Sequence, residues 1–576
     1  MRLTKQTDLV LLHPPSVYDF REKLIIPSPI ADLVPSGPFF EMYPIGFSFL
    51  GEYLERHGVK VRVINLAARM LEQPSFDVER HISRLDPRAF GIGLHWLPHC
   101  HGAVEIARLC KKTHPDIPVV MGGYSSTIYH RELLGYPEVD FVVRGDSTEE
   151  PLLQLMTAIL EGGGYESVPN LTWRDKASGR VVENPLDYVP RDLNHIGGNY
   201  LYMMRAALRH GDLRGVRAFK GWWSYPMTAV LTCKGCLKNC TFCGGSARAM
   251  SKCFSRRGIA LRSPEDLAKD VESISAITGA PIFVIGDIRQ PGDDYANKVL
   301  DRLGRLAPGN HMVLELFEPA PREYFERAGR NLPHFDLEIS PETHDEGLRR
   351  AVGKPYTNEQ LESNIAWALE NGCGKVDVFF MIGIEGQDRE SVMETIEYCS
   401  HLLKEFGTKV NPLVGPLAPF LDPGSINRTD ADRHGYTVLL HSLEDHRQAL
   451  LEPHWRDLLG YSTECMDRQE IVDATYQALL ELNRVKASHG QISTSYAESM
   501  EKFLLDTMAL LDRLDAARDI VDDTRREAEL AMIKLEADRL RVTSDLVKEE
   551  LEWPIEGAKF RYLSIARLLL GRRRAA

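Results

Sequence analysis

The sequence predicts an α/β protein made of two consecutive parallel-sheet units followed by a mainly helical region. Three observations carry this. Short apolar runs alternate with helical segments before residue 190, a second such series runs from Thr228 to Ile382, and after Leu421-Asp-Pro-Gly424 strand signals give way to helical stretches. Strand and helix alternating at short intervals imply largely parallel sheets covered on both faces. At 576 residues the chain exceeds what one hydrophobic core serves. The expected units are 1–190, a doubly wound sheet; 191–225, a connecting segment; 226–430, a second β/α unit; and 431–576, mainly helical.

In the first unit, Asp8-Leu-Val-Leu-Leu-His-Pro-Pro15 reads as a strand stopped by two prolines, which cannot continue a ladder. A helical segment from Gly46 to His57 leads through Gly58 into a strand at Val59–Asn65. Further strands are expected at Ala89–His95, Pro118–Met121 and Asp140–Arg144, with a helix over Ala103–Lys112. Ligands of such sheets bind beyond the carboxyl ends of the strands. The residues to inspect are therefore His13-Pro-Pro15, Gly93–Trp96, Gly122-Gly-Tyr-Ser-Ser126 and Arg144-Gly-Asp-Ser-Thr-Glu149. The Gly122-Gly123 pair suits either close backbone approach to a bulky ligand or a tight turn. No G-x-G-x-x-G follows the first strand, which disfavours a dinucleotide. His95, His99 and His101 form a metal set only if partners at established spacing join them; otherwise they are a polar loop facing a cleft.

In the second unit, residues 196–222 show little periodicity, then Thr228–Thr232 makes a short strand. Strands follow at Pro281–Gly286, His311–Phe317, Phe335–Ile339 and Val376–Ile382, as consecutive β/α units. Ser263-Pro-Glu-Asp266 and Ser340-Pro-Glu-Thr343 both read as helix starts. Beyond Gly424, helices are expected over Tyr436–Glu452, Gln469–Lys486 and Ser495–Leu511, and a charged, leucine-spaced run from Leu514 to Glu550 packs on neighbouring elements or pairs chains. Tyr436, His441, His446 and Trp455 are candidates for substrate recognition or for plain helix packing.

A net charge of −13 argues against broad nucleic-acid binding, and the Arg572-Arg-Arg574 run reads as a solvated tail. No apolar run is long enough to cross a membrane and no signal-peptide pattern opens the chain, so a soluble cytoplasmic protein is expected. Of ten cysteines, six stand apart and read as buried thiols. Cys236-Leu-Lys-Asn-Cys240-Thr-Phe-Cys243 does not: C-x3-C-x2-C can hold three irons of one cubane and leave the fourth open, because iron–sulfur clusters are held by thiolates. Zinc is the alternative, but the spacing lacks a second pair for a closed tetrahedral site. Cys233 is a bystander or a spare thiol at the mouth of the site.

The trio, with Phe242 before its last cysteine, resembles the signature of radical S-adenosylmethionine (SAM) enzymes. The preceding Tyr43-Pro44-Ile-Gly46, Leu50, Leu54, Gly58–Val61, Gly122-Gly123 and Arg144–Glu149 resemble the cobalamin-binding domain of the cobalamin-dependent members. The resemblance implies a partial (β/α)6 barrel for the second unit, with chemistry at its carboxyl-terminal rim. It implies a [4Fe–4S] cluster on Cys236, Cys240 and Cys243, and SAM on the open iron, cleaved to a 5′-deoxyadenosyl radical. SAM contacts are expected at Phe242 (adenine), Asp287 after Gly286, Ser340, Glu342 and Gly383, with Glu338 a weaker candidate. Cobalamin contacts are expected at Pro44, Gly46, Gly122, Gly123, Tyr124, Ser125, Arg144, Gly145 and Glu149. The D-x-H-x-x-G pattern that brings a histidine to cobalt in other cobalamin proteins is not evident, which suggests binding without a protein histidine on the metal. The implied activity is methylation of a carbon centre of a small molecule or natural-product intermediate, with electrons from an external donor such as flavodoxin or ferredoxin. Radical cyclisation, rearrangement or carbon–carbon bond formation, with or without cobalamin, is the alternative.

Overall fold

The computed structural model describes residues 7–29, 46–175, 177–197, 200–212, 221–417, 421–544, 550 and 552–571. The first sheet holds β1 (Leu9–His13), β2 (Val61–Asn65), β3 (Ala89–Gly93), β4 (Val119–Gly122), β5 (Phe141–Val143), β6 (Leu171–Arg174) and β7 (Val181–Glu183) in the order β2-β1-β3-β4-β5-β6-β7. The first five strands are parallel, and β6 and β7 extend the sheet as an antiparallel pair that the sequence pattern does not announce. β1 is buried along its whole length, as a central strand covered on both faces requires. It ends at Pro14-Pro15, and the Cys100–Thr113 helix begins flush against that turn: the Gly102 amide donates to the Ser16 carbonyl at 3.0 Å. A Cβ on Gly102 would lie 1.7 Å from the Pro15 carbonyl oxygen.

The second sheet holds β8 (Thr228–Leu231), β11 (Ile282–Ile285), β12 (Met312–Leu316), β13 (Phe335–Glu342), β14 (Cys373–Ile382) and β15 (Val410–Pro416), all parallel and in sequence order. β8 and β15 are its free edges, so it is a partial barrel of six strands. Between β8 and β11, the short strands β9 (Cys233–Lys234) and β10 (Ala260–Leu261) pair antiparallel. Ser263 caps a helix that has Pro264 at its first position, as its pattern suggests. Ser340-Pro-Glu-Thr343 starts no helix; it closes β13. The register against β14 shifts between Ile339 and Glu342, which accommodates Pro341, a residue without an amide to donate. The aperiodic 196–222 stretch contains a helix at Tyr200–His210.

The region after β15 is not all helix. Tyr436–Val438 pairs antiparallel with Tyr461–Thr463, and Leu443–Ala449 is the one α-helix between them, replacing the helix expected over Tyr436–Glu452. Leu443, Leu450 and Leu458 join the apolar core of the first unit. The helices Arg468–Ser488, Thr494–Arg518 and Asp523–Ser544 instead share one core with the barrel, through Tyr476, Leu510 and Ile533. The charged run breaks at Asp519–Asp522, where Asp522 accepts from the Arg525 amide at 2.7 Å, and the last helix folds back so that Arg513 reaches Glu529 and Glu536.

Beyond it, the chain returns beneath the barrel. Trp553 stacks on Phe283 with ring centroids 5.9 Å apart, and its indole N–H reaches Asp377 at 3.3 Å. Gly279 exchanges backbone hydrogen bonds with Glu556 and Ala558. The amino-terminal mouth of the barrel is thereby closed, which leaves the carboxyl-terminal rim for chemistry.

Gly102→Ala should cost at least about 1–3 kcal/mol, because the added carbon meets backbone that cannot give. Denaturant unfolding reads this directly, and an unchanged midpoint would contradict the packing of the Pro14-Pro15 turn.

Candidate active site between the two sheets

A cavity of about 1410 Å³ joins the two units. One end is floored by the carboxyl ends of β1, β3, β4 and β5, through His13, Gly93, Gly122-Gly123-Tyr124 and Gly145; the other reaches Cys236 and Cys243 after β9, and Gly286 after β11. Its walls are mostly apolar.

The cysteine loop is held from several sides. The Thr241 amide donates to the Val352 carbonyl at 3.1 Å, the Asn427 amide to the Thr241 carbonyl at 2.9 Å, and the Gly244 amide to Asp422 at 2.8 Å. Gln290 accepts from the Leu237 amide at 3.0 Å and donates toward the Cys233 sulfur at 3.5 Å. Within the loop, the Lys238 amide points at the Cys236 sulfur and the Gly245 amide at the Cys243 sulfur, both at 3.3 Å. Burial raises all three thiols above the ordinary cysteine value. Phe242 is buried against Val352 and Ile384, beside Cys240, Cys243 and Met381.

Two buried ion pairs tie the first unit to the flanks of this loop. Glu149 accepts from Lys234 at 2.9 Å, and Asp146 pairs with Arg256. Burial opposes the charge on Glu149, but Lys234 overcomes it and holds the carboxyl below its usual value. Arg256 also donates to the Pro190 carbonyl at 2.9 Å.

Of the residues proposed from sequence for cobalamin, Gly46, Gly122, Gly123, Tyr124, Gly145 and Glu149 line the cavity. Pro44 lies outside the described residues. Ser125 stands behind that wall, donating to the His95 carbonyl at 3.1 Å, and the Arg144 side chain turns away to the Asn184 carbonyl. Gly123 has φ +124°, and a Cβ there would meet the Leu94 carbonyl at 2.5 Å. Tyr124 packs between His95 and Phe254 with its ring tilted against both, centroids 4.9 and 4.8 Å away.

Of those proposed for SAM, Asp287 lies next to the lining residue Gly286 but is itself engaged. Its carboxylate takes Arg289 and the Phe317 amide. Glu342, at φ +69°, pairs with Lys354, which also donates to the Ser340 carbonyl. Burial raises the Glu342 carboxyl; burial alone would lower Lys354, but Glu342 keeps it protonated. Gly383 takes φ +89°, and a Cβ there would strike the Tyr461 hydroxyl at 2.6 Å. The Tyr436 hydroxyl donates to the Gly383 carbonyl at 3.4 Å, while Trp455 is buried and donates to the Tyr476 hydroxyl at 3.2 Å. Neither Tyr436, His441, His446 nor Trp455 lines the cavity.

Glu338, a weaker SAM candidate from the sequence, belongs to a row that the sequence pattern did not reveal. Glu315, Glu338 and Asp377 share one register row across β12, β13 and β14, followed by Asn411 on β15, and Glu315 and Glu338 line the cavity. Glu315 accepts the Gly286 amide at 2.7 Å. Burial raises all three carboxyls, and Asp377 and Glu315 raise Glu338 further. A strand-by-strand alignment of inward positions could have found the row.

A B12 binding domain model matches residues 38–152, and a Radical SAM superfamily model matches residues 230–399. The hopanoid C-3 methylase of Methylococcus capsulatus is 23% identical over 256 residues, a match spanning 43% of each chain. An uncharacterized methyltransferase of Pyrococcus horikoshii is 26% identical over 378 residues, or 62% of this chain and 73% of that one. Among solved structures, the radical SAM methyltransferase TsrM of Kitasatospora setae, with cobalamin and a [4Fe–4S] cluster bound, superposes with a TM-score of 0.59 at 15% identity, covering 94% of this chain and 99% of its own. The cobalamin-dependent radical enzyme OxsB, with aqua-cobalamin and SAM bound, gives 0.55 at 13% identity, covering 98% and 84%. These two likenesses are of fold. The chain thus combines a B12-binding domain with a radical SAM domain behind it, the pairing also carried by the cobalamin-dependent radical SAM enzyme family that its sequence resembles.

The residues present fit the cofactors of that family. Three thiols on one immobilised loop, two of them facing backbone amides, suit a cubane. Among the described residues no three His, Cys, Asp or Glu side chains gather as a site for a single metal ion. His101 accepts from the Tyr18 amide at 3.2 Å, away from such a set. The glycine-floored strand ends suit a broad planar ligand, and both ring nitrogens of His13 are buried there without a hydrogen-bond partner among the described residues.

Asp146→Asn strands the buried Arg256 and should cost about 3–5 kcal/mol; replacing both partners with apolar residues should recover part of it, read by thermal unfolding of the single and double variants. A second test uses pH. The Glu338 carboxyl is raised above its ordinary 4.5, so the folded chain holds the proton longer than the unfolded chain, and stability falls as pH climbs from that ordinary value through the raised one. Glu338→Gln removes this loss: the variant should gain on the wild type as pH rises above that ordinary value, and a difference that stays constant with pH would contradict the burial of a weakened acid.

Proposed function

We propose that the protein is a cobalamin-dependent radical SAM methyltransferase that methylates a carbon centre of a predominantly apolar small molecule or natural-product intermediate. The observation that carries this is the single cavity with B12-domain strand ends at one end, Cys236 and Cys243 at the other, and apolar walls between. Methyl transfer is supported by the names of both curated relatives and of the TsrM structure. When bound, the cluster and SAM supply one-electron cleavage of a sulfonium carbon–sulfur bond, and cobalamin supplies a methyl carrier.

The chain's own part is to position and to exclude. Cys236, Cys240 and Cys243 hold the cluster, leaving one iron open. Phe242, Asp287, Ser340, Glu342 and Gly383 serve the SAM side, Glu342 and Asp287 through the fixed network around Lys354 and Arg289. Gly46, Gly122, Gly123, Tyr124, Gly145 and Glu149 face cobalamin, with Ser125 and Arg144 supporting that wall. Glu315 and Glu338, as weakened acids at an apolar wall, offer a hydrogen bond to one polar group of the substrate. The apolar walls keep water from the reacting centres. An external donor such as flavodoxin or ferredoxin delivers the electron, and a cytoplasmic location fits that need; among the described residues, no helix is long and apolar enough to cross a membrane.

The test is anaerobic, cluster-reconstituted protein given reductant, cobalamin and SAM with a deuterated methyl group, with nucleosides and cobalamin followed by mass spectrometry. Methyl transfer predicts S-adenosylhomocysteine and labelled methylcobalamin on the protein, with 5′-deoxyadenosine lost in Cys236→Ala and Cys243→Ala. Cleavage of SAM with no labelled methyl on cobalamin or product would instead establish the rearrangement or bond-forming chemistry.

A further inference from the structure

We propose that the face carried by the helices Tyr200–His210 and Tyr562–Gly571 docks on an anionic lipid bilayer, with the mouth of the cavity turned into the lipid. The docking stands on the surface itself; only the passage of an apolar substrate through that mouth rests on the function proposed above.

The helix Tyr562–Gly571 reads Tyr-Leu-Ser-Ile-Ala-Arg-Leu-Leu-Leu-Gly, with one charged residue in ten. A helix apolar on every side is ordinarily buried on every side. This one is covered on one side only. Ile565 and Leu569 line the cavity, and the Leu568 carbonyl accepts from Arg205 of the helix Tyr200–His210 at 3.3 Å. On the other side Leu563 is 79% exposed and Tyr562 74% exposed. Leu208, 58% exposed, and Trp223 extend this patch, and Phe560 joins its rings, with centroids 5.3 Å from Trp223 and 6.1 Å from Tyr562. Large apolar side chains left together at a surface mark contact with another molecule or with a membrane. Leu208, Trp223 and Tyr562 also line the cavity, so it comes to the surface within the patch.

Charge selects lipid as the occupant. The 20 residues from Gly557 to Ala576 contain Lys559, Arg561, Arg567, Arg572, Arg573 and Arg574 and no acid, in a chain of net charge −13. Lys559 and Arg567 are exposed. Glu55 and Asp212, beside the other helix, are already taken, by Arg209 and by Arg62 and Arg69. Cations around an apolar helix, with Trp and Tyr at its border, suit a segment lying in the interface of an anionic bilayer. A second copy of this face would set the same cations against each other, which opposes self-association. Ten residues are too few to cross the hydrocarbon core, so the helix lies on the membrane. The apolar cavity then opens into an apolar medium, and a lipid-soluble substrate reaches the site without passing through water.

The test is sedimentation of the purified full chain with vesicles of phosphatidylcholine, with and without phosphatidylglycerol. Docking predicts binding to the anionic vesicles that weakens as salt is raised. It predicts a loss on the order of a hundredfold when Arg572, Arg573 and Arg574 are all replaced by Gln, at about fivefold per cation. It predicts a loss of at least about tenfold in the Leu563→Ser, Leu568→Ser double variant. Neither leucine belongs to a buried core, so that variant keeps the wild-type unfolding midpoint. No binding to anionic vesicles, or binding that the leucine variant retains in full, overturns the proposal. So does a wild-type chain that self-associates without lipid and becomes monomeric in the leucine variant, since the face is then a contact between copies. Sedimentation needs neither cofactor nor turnover: its failure leaves methyl transfer standing, and a chain that docks but transfers no methyl group fails on the other reading alone.

Discussion

The two buried ion pairs between the units, Glu149–Lys234 and Asp146–Arg256, are the constraint on which the site depends. Each cofactor-binding half is a complete sheet with its own core. The chemistry exists only where the strand ends of the first face the cysteine loop of the second. Lys234 and Arg256 flank the trio on either side, and both their partners come from the six residues after β5. Fixing those four side chains fixes the distance and angle between the two ends of the cavity. The burial that makes the pairs costly to form also makes them intolerant of misalignment, since a displaced partner leaves an unpaired charge in an apolar setting.

The rest of the chain closes the remaining openings. The Leu443–Leu458 segment packs on the first unit while the long helices after it pack on the barrel, so the carboxyl-terminal region spans both. The returning strand of chain at Trp553–Phe560 seals the amino-terminal mouth of the barrel, where Asp377 takes the indole N–H. The Glu315–Glu338–Asp377 row is thus enclosed from below and open only toward the cavity, which is why burial dominates all three carboxyls.

Much of this was legible in the sequence. Parallel-sheet strands announce themselves as short apolar runs, and the cysteine spacing carries its chemistry whatever surrounds it. What was hidden is the choice of long-range partner. Arg144–Glu149 stands out in the sequence as a strand-end motif, but nothing local says that Asp146 and Glu149 look across to Arg256 and Lys234. Ser340-Pro-Glu carries a helix-start pattern that the ladder with β14 overrides by shifting register at Pro341. Tyr436–Val438 forms a strand because Tyr461–Thr463 supplies its partner some 25 residues on. His13 looked like the end of a strand; only the fold gives it a buried place on the cavity wall at the point where β1 and β3 diverge.

The central claim is that one cavity, held by the two ion pairs, presents both cofactors to each other. The most direct measurement is the dipolar interaction between cob(II)alamin and the reduced cluster in the doubly loaded protein, followed by pulsed electron paramagnetic resonance. The account predicts a defined coupling that broadens or disperses when Asp146 and Glu149 are both neutralised. Two spectra that add as if the centres were independent, in wild type as in the variant, would contradict it.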